Sequence, residues 1–237
     1  MGLLDIFSRR DSGERQIKTS EAVKNRMAIP KEAFPSAGTA GWDAIVEEFE
    51  RVYPGQKRPL FFKTRVRWID GGNDPLDAIF VYDGGDYWHF VGLGLSELYG
   101  KVTDDPTKSG WGMEFTFKLK KGPFENEEEE IKGVCNILQS MARLTMRKGQ
   151  IFEPYQYIFT GQAGGIDARA QSVLTGLITV PDASVNTIET PNGEVHFIEF
   201  VGMSSWELAQ LKSSEDVIAM YERIGTDVTD YFRQSLC

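Results

Sequence analysis

The sequence predicts an α+β fold, in which a mixed, largely antiparallel twisted sheet is flanked by helices. Two observations predict it. Apolar periodicity runs along the chain in the order helix, strands, long helix, strands and helices, so the two kinds of element are partly segregated. Glycine-dense turns separate the strand segments. A chain of 237 residues, of which 41% are hydrophobic, can bury the core of one large domain.

The chain is predicted to consist of a leader and a domain. Residues 1–36 are mixed and polar, and we expect a flexible N-terminal leader there. Residues 37–237 contain no repeat and no linker, and we expect them to form a single domain. Its first element is an amphipathic helix that begins near Trp42 and ends before Pro54.

Four strands are predicted before the long helix: alternation of apolar and polar residues predicts the first and the last, and short buried or apolar runs predict the two between them. They are Phe61–Trp68, Ala78–Tyr82, Trp88–Leu95 and Met113–Lys120. The first strand places Lys63, Arg65 and Arg67 on one face. We interpret that face as a solvent face whose cations are balanced by local acidic residues.

The longest helix is predicted from Glu127 to about Lys148. Its acidic residues come first and its basic residues last, which is the order that the helix dipole favours. Cys135 lies on its apolar stripe, and we interpret it as a core residue. The later predicted elements are strands at Tyr155–Phe159, Val173–Val180 and Val195–Met203, a short helix opened by the capping box Ser204–Glu207, and a helix at about Ser214–Ile224.

Composition and motifs exclude several classes of function. The net charge of -9 argues against a broad phosphate-binding surface, so no nucleic-acid partner is expected. Two cysteines and two histidines without metal-ligand spacing argue against a metal site, and there is no phosphate-binding loop and no serine-hydrolase elbow. The N-terminus lacks the charge order of a secretory signal and no run of 18 apolar residues occurs. We therefore expect a cytoplasmic protein with no membrane partner and no cofactor.

One group of residues leaves an enzyme as an alternative. Asp74, Asp77 and His89 are near one another in the sequence and could support metal-assisted or general acid–base chemistry. The same residues have a structural interpretation, which we favour. An aspartate before a proline commonly caps a turn, and Asp77 can accept hydrogen bonds from backbone amides of its glycine-rich loop.

Several segments resemble, in order, the Suppressor of fused family domain. They are Gly41–Ile45, Gly71–Asp77 (GGNDPLD), Tyr87–Val91 with Gly94–Gly100 (GLSELYG), Gly110–Leu119 and Thr190–Gly193. Asn73 and Tyr87 depart from the family's usual proline and histidine. The resemblance implies a Suppressor-of-fused-like domain with seven structural motif residues: Asp74, Asp77, Trp88, His89, Glu97, Tyr99 and Glu114.

The resemblance also implies a mode of binding. Animal members of the family sequester zinc-finger transcription factors of the Gli type, with the help of a second domain. In them the partner peptide adds along the strand that follows the long helix. By position, the candidate partner-binding residues here are Leu144, Phe152, Tyr155 and Gln156, although Leu144 and Phe152 also fit a role in the core. Gln156 stands where the animal proteins use an acidic residue.

The expected function is therefore non-catalytic binding of a protein partner. The compact form of this domain is similar to bacterial stand-alone members, which are proposed to be immunity proteins that neutralise a partner toxin. Two alternatives stay open: a small-molecule or metal-dependent enzyme that uses His89 with Asp74 and Asp77, and a regulatory scaffold that binds another protein.

Overall fold

The computed structural model describes residues 38–236. The N-terminal leader expected at residues 1–36 lies outside the described residues. The helices are α1 (Ala40–Val52), α2 (Glu127–Lys148), α3 (Ser205–Leu208) and α4 (Ser214–Ile224). The strands are β1 (Leu60–Lys63), β2 (Ala78–Asp83), β3 (Tyr87–Leu93), β4 (Lys108–Lys120), β5 (Tyr157–Phe159), β6 (Leu174–Pro181), β7 (Ile188–Thr190), β8 (Gly193–Ser204) and β9 (Val228–Thr229).

The strands of the described region form one sheet of nine strands. Its order is β1-β2-β3-β4-β8-β6-β5, with β7 paired to β8 and β9 paired to β4. Strand β4 runs parallel to β8 and β9, and every other pair is antiparallel. The mixed, largely antiparallel sheet and the α+β class are confirmed. Strands β1 and β5 are the two ends of the sheet, and each pairs with only one neighbouring strand.

Helices cover both faces of this sheet. Helix α2 packs on one face, where Phe115 of β4 and Phe200 of β8 have ring centroids 4.9 Å apart. Helix α1 packs on the opposite face, where Phe49 contacts Phe197 of β8. Helix α4 shares that second face and packs on β6 and β8. None of the helices in residues 38–236 is both long and apolar enough to cross a membrane.

The first predicted strand was too long. Strand β1 ends at Lys63, whereas the alternation predicted pairing as far as Trp68. The reason is the register: Lys63 pairs with Ala78, the first residue of β2, so the sheet offers no partner beyond that point. The chain then turns into a short 3-10 helix, and Val66 is exposed rather than in the core. Strands β7 and β9 were not predicted because three and two residues are too few to show periodicity.

The glycine-rich loop before β2 packs directly on the backbone that follows β3. Gly94 has φ 151, and a Cβ at that position would lie 2.5 Å from the carbonyl oxygen of Pro75 and 2.8 Å from the Cα of Leu76. The close approach of two backbones therefore requires glycine at position 94.

We expect Gly94→Ala to lower the free energy of unfolding by about 2–3 kcal/mol, because the two backbones would have to separate. Chemical denaturation would measure it. Gly100→Ala is the matched control, since a Cβ there meets nothing within 4 Å, and we expect it to change stability by less than about 0.5 kcal/mol. Equal losses in the two variants would contradict the packing argument.

Candidate functional site

The carboxylate of Glu114 organises the turn after β3. Its Oε1 accepts hydrogen bonds from the amides of Gly94, Leu95 and Ser96 at 2.9, 3.1 and 2.9 Å, and from the Ser96 hydroxyl at 2.7 Å. Glu114 is fully buried, and burial raises its pKa to about 7 although these hydrogen bonds oppose the shift. The predicted motif residue is thus the acceptor around which the GLS turn folds.

Glu97 organises the next loop in the same way. Its carboxylate accepts hydrogen bonds from the amides of Val102 and Thr103 at 2.6 Å each, and from Lys101 Nζ at 3.0 Å. Burial alone would raise the pKa of Glu97, but the amides and Lys101 outweigh it and lower the pKa to about 2.

Asp74, Asp77 and His89 do not meet in the structure. Asp74 Oδ1 lies 2.5 Å from Arg143 Nη1. Asp77 accepts a hydrogen bond at 2.8 Å from the Tyr99 hydroxyl, and this differs from the loop amides expected from the sequence. Asp77 directly precedes β2, whereas His89 lies opposite Tyr82, near the other end of that strand. The three side chains therefore share no cleft in which acid–base chemistry could occur.

His89 and Trp88 each have a structural partner. His89 is fully buried and bridges two groups: Nε2 lies 2.7 Å from Asp182 Oδ2, and Nδ1 lies 2.7 Å from the Tyr53 hydroxyl. Burial lowers the pKa of His89, although Asp182 opposes the shift. A neutral imidazole that donates from Nε2 and accepts at Nδ1 satisfies both contacts. Trp88 Nε1 donates to Glu127 Oε1 at 2.8 Å, which ties β3 to α2.

A buried network of charges, which the sequence did not indicate, continues from His89 through Asp182. Lys118 of β4 donates from Nζ to Asp182, Glu199 and Asp227 at 2.8, 2.8 and 2.7 Å. Burial alone would lower the pKa of Lys118, but the three carboxylates outweigh it and raise the pKa. The three acidic partners come from segments far apart in the sequence, so no local pattern connects them. The available sign in the sequence was a lysine between the apolar residues Phe117 and Leu119.

The pKa values of Asp182 and Glu199, two acidic members of this network, are shifted in opposite directions. His89 and Lys118 hold the pKa of Asp182 well below its usual range, although burial acts in the opposite direction. Burial and the neighbouring charge of Asp182 raise the pKa of Glu199 well above its usual value, and Lys118 only partly opposes this. Oε1 of Glu199 has no hydrogen-bond partner among the described residues. One ammonium therefore neutralises only part of the charge that three carboxylates could carry.

The three carboxylates of this network surround the Lys118 ammonium. One oxygen from each of Asp182, Glu199 and Asp227 lies within 4.8 Å of the other two, a spacing at which carboxylates can hold a cation. The Lys118 ammonium donates to all three and so takes the place of that cation. Its effect is to join β4 and β8 to the segments that precede β7 and β9.

The candidate binding surface is the β5 edge groove, a shallow groove of about 560 Å³ beside strand β5. It is lined by Leu144, Gln150, Phe152, Tyr155, Gln156, Tyr157, Ile158, Phe159, Ser213 and Ser214. The structure thus brings all four candidate partner-binding residues together. It also adds Tyr157 and Phe159, which are 36% and 52% exposed and which the sequence did not single out. Strand β5 has only three residues, which is too few for a periodic pattern to show that these two aromatic rings are exposed.

Two of the four candidate partner-binding residues, Phe152 and Leu144, pack against the core of the protein. Phe152 is 4% exposed, and its ring packs against Phe115 and Phe200 with centroids 5.5 Å away in each case. It therefore belongs to the core and offers at most the floor of the groove. Leu144 is half-buried against the same core cluster.

Thr179 of β6 fixes the backbone that leads into β5. The amide of Tyr155 donates to the Thr179 carbonyl at 2.7 Å, and the amide of Gln156 donates to its hydroxyl at 2.9 Å. The hydroxyl of Thr179 in turn donates to the carbonyl of Glu153 at 2.6 Å. Tyr155 has φ 65, a left-handed conformation that is uncommon for a residue with a side chain and that these bonds hold in place.

Comparison with known proteins gives a consistent match. The model of the family described as Suppressor of fused protein (SUFU) matches residues 72–234. The Suppressor of fused homologs of Homo sapiens and Mus musculus are each 29% identical over 181 residues, which cover 71% of this chain and 36% of the relative. This chain therefore spans well under half the length of those curated relatives.

Solved structures show the same fold. The protein in the Sufu–Fu complex has a TM-score of 0.72 and 29% identity, over 83% of this chain and 92% of that chain. Drosophila Suppressor of Fused has a TM-score of 0.70 and 28% identity, over 83% of this chain and 51% of that chain. A SUFU homolog from Neisseria gonorrhoeae, at 17% identity, has a TM-score of 0.53 over 84% and 97% of the two chains, and this similarity concerns the fold alone.

We expect Asp182→Asn to cost about 3 kcal/mol of unfolding free energy, because it leaves Lys118 and His89 with a neutral partner. Glu199→Gln should cost less than about 1 kcal/mol, because the raised pKa of Glu199 favours its neutral form and glutamine is also neutral. Urea denaturation of the two variants at pH 7 would measure the difference. A loss at Glu199→Gln as large as that at Asp182→Asn would mean that Glu199 is ionised.

The pKa of Glu114 predicts a pH dependence of stability. The carboxyl group titrates near its ordinary value of 4.5 in the unfolded chain and at about 7 in the folded one. Its contribution is fully present below pH 4.5 and is lost as the pH rises to 7, by about 3 kcal/mol in total. Glu114→Gln keeps an acceptor for the three amides but cannot titrate. We expect the stability of this variant to rise relative to the original protein between pH 5 and pH 7; a difference independent of pH would disprove this.

Proposed function

Because this chain belongs to the Suppressor of fused family, we propose that it is a non-catalytic domain that binds an extended segment of a partner protein at the β5 edge groove. The supporting observation is the end of the sheet at β5. This strand pairs with β6 alone, and it carries Tyr157 and Phe159 with their rings partly in solvent. An open strand edge with exposed aromatic side chains is a receptor for strand addition.

The groove supplies the specificity that strand addition needs. Backbone hydrogen bonds to an edge strand are independent of sequence, so selectivity must come from the places that receive alternate side chains. Here the floor is apolar, from Phe152 and Leu144, and the rim is polar, from Gln150, Gln156 and Ser213. The lining favours a segment that alternates between apolar and uncharged polar residues. Gln156 has no charge to offer to a partner.

The proposed role of this binding is immunity, the neutralisation of a partner toxin in the cytoplasm. Two observations support it. The net charge of -9 suits a basic partner such as a nuclease toxin. His89 is buried with both ring nitrogens in hydrogen-bond contact, which favours binding over the enzyme alternative that depended on this residue. A regulatory scaffold for another protein would use the same groove and differs only in the identity of the partner.

The immunity role predicts rescue from a toxin. Co-expression with a toxin gene encoded beside the gene of this protein should restore growth, and pull-down should recover the toxin. If no such gene exists, or the protein neither rescues growth nor binds its product, the immunity role is wrong.

The binding surface is tested separately. We expect Phe159→Asp to abolish recovery of the partner, because an ionised carboxylate would be buried in the interface without a counter-charge. Val102→Asp is the matched control, since Val102 is equally apolar, is 86% exposed and does not line the groove. Partner recovery by Phe159→Asp equal to that by Val102→Asp would move the interface away from β5.

A further inference from the structure

The opposite end of the sheet differs from β5 in its charge. The segment at residues 57–67 contains five basic residues and no acidic one: Lys57, Arg58, Lys63, Arg65 and Arg67. It includes all of β1, which pairs with β2 alone. The net charge of the whole protein is -9, so this strand edge is a basic region of an acidic protein.

Most of this charge is available to a partner. Lys57, Arg58 and Arg65 are exposed, and within residues 38–236 no carboxylate forms a salt bridge with any of them. Arg67 differs, because its Nε lies 2.7 Å from Asp70 Oδ2. The solvent face expected from the sequence is therefore neutralised at Arg67 but not at Arg65.

The backbone of β1 has an outer edge that the sheet does not use. The amide of Thr64 donates to the carbonyl of Asp77 at 3.0 Å, so alternate residues of the strand bond to β2. That alternation directs the N–H and C=O of Phe61 away from β2. Within the described part of the chain, no hydrogen bond reaches these two groups.

A groove of about 450 Å³ lies beside this edge, on the face that α2 covers. Phe62 and Ile79 provide apolar surface, Asn136 and Gln139 of α2 provide polar groups, and Arg65 adds a charge. A side chain from an added strand could enter it. Edge, groove and unneutralised cations thus occur together at one end of the sheet.

We infer that β1 is a second strand-addition site, which binds an extended acidic segment of a partner protein. Carboxylates of the segment pair with Arg58 and Arg65, its backbone bonds to Phe61, and its apolar residues point into the groove beside Phe62. Cations on an edge strand can also serve only to prevent aggregation through that edge. Binding of an acidic segment would distinguish a binding site from such a protective role.

The probe is a fluorescein-labelled nine-residue peptide of alternating glutamate and valine, titrated against the whole protein by fluorescence anisotropy. We expect saturable binding that weakens with added salt, and protection of the β1 amides from hydrogen exchange. A peptide with lysine in place of glutamate should not bind. A glutamate–valine peptide with alternate backbone amides methylated should lose at least about tenfold in affinity, because it keeps the charge but cannot pair with the strand.

Variants of the protein complete the test. Arg58→Glu with Arg65→Glu should weaken the peptide by at least about tenfold, and the milder Arg58→Gln with Arg65→Gln should act in the same direction. Arg223→Glu is the matched control, an exposed charge reversal on α4, and should leave the affinity unchanged. Absence of saturable binding, equal loss in Arg223→Glu, or equal binding of the methylated peptide would each overturn the proposal. Phe159→Asp should leave this binding intact, which separates it from the β5 edge groove.

Discussion

The central part of strand β4 is buried on both faces, and the two charged groups that it carries there, Glu114 and Lys118, must find their partners inside the protein. Glu114 does so through backbone amides of one turn, and Lys118 does so through three carboxylates. A buried ammonium without these partners would cost several kcal/mol. The positions of β8, of the segment after β6 and of the segment before β9 follow from this requirement as much as from apolar packing.

These buried charges lie at the centre of the sheet, whereas its two end strands, β1 and β5, are where the sheet can contact other molecules. At one end the β5 edge groove is nearly uncharged and lined with aromatic rings. At the other end the β1 edge is basic. In the two proposals made above, the side chains at these edges select different strands. The proposals together imply that the protein holds two extended segments at once, at a separation that the sheet between β1 and β5 fixes.

Much of the fold could be predicted from local pattern, and the buried charges could not. Helix α2 has the limits that its apolar stripe and terminal charges predicted. The motif residues Glu97 and Glu114 were singled out by resemblance, but their hydrogen-bond partners required coordinates. Asp182, Glu199 and Asp227 carry no local signal, because an isolated acidic residue in a sequence is ordinarily a surface residue. Only the return of the chain to β4 shows that these three share one lysine.

The lysine at the centre also determines when the domain can fold. Its partners lie 64, 81 and 109 residues further along the chain. During synthesis the hairpins β1–β4 emerge long before Asp227, and until then Lys118 must stay in water. The sheet can therefore close completely only after Asp227 has been synthesised, and a nascent chain halted earlier presents unpaired strands to chaperones and proteases.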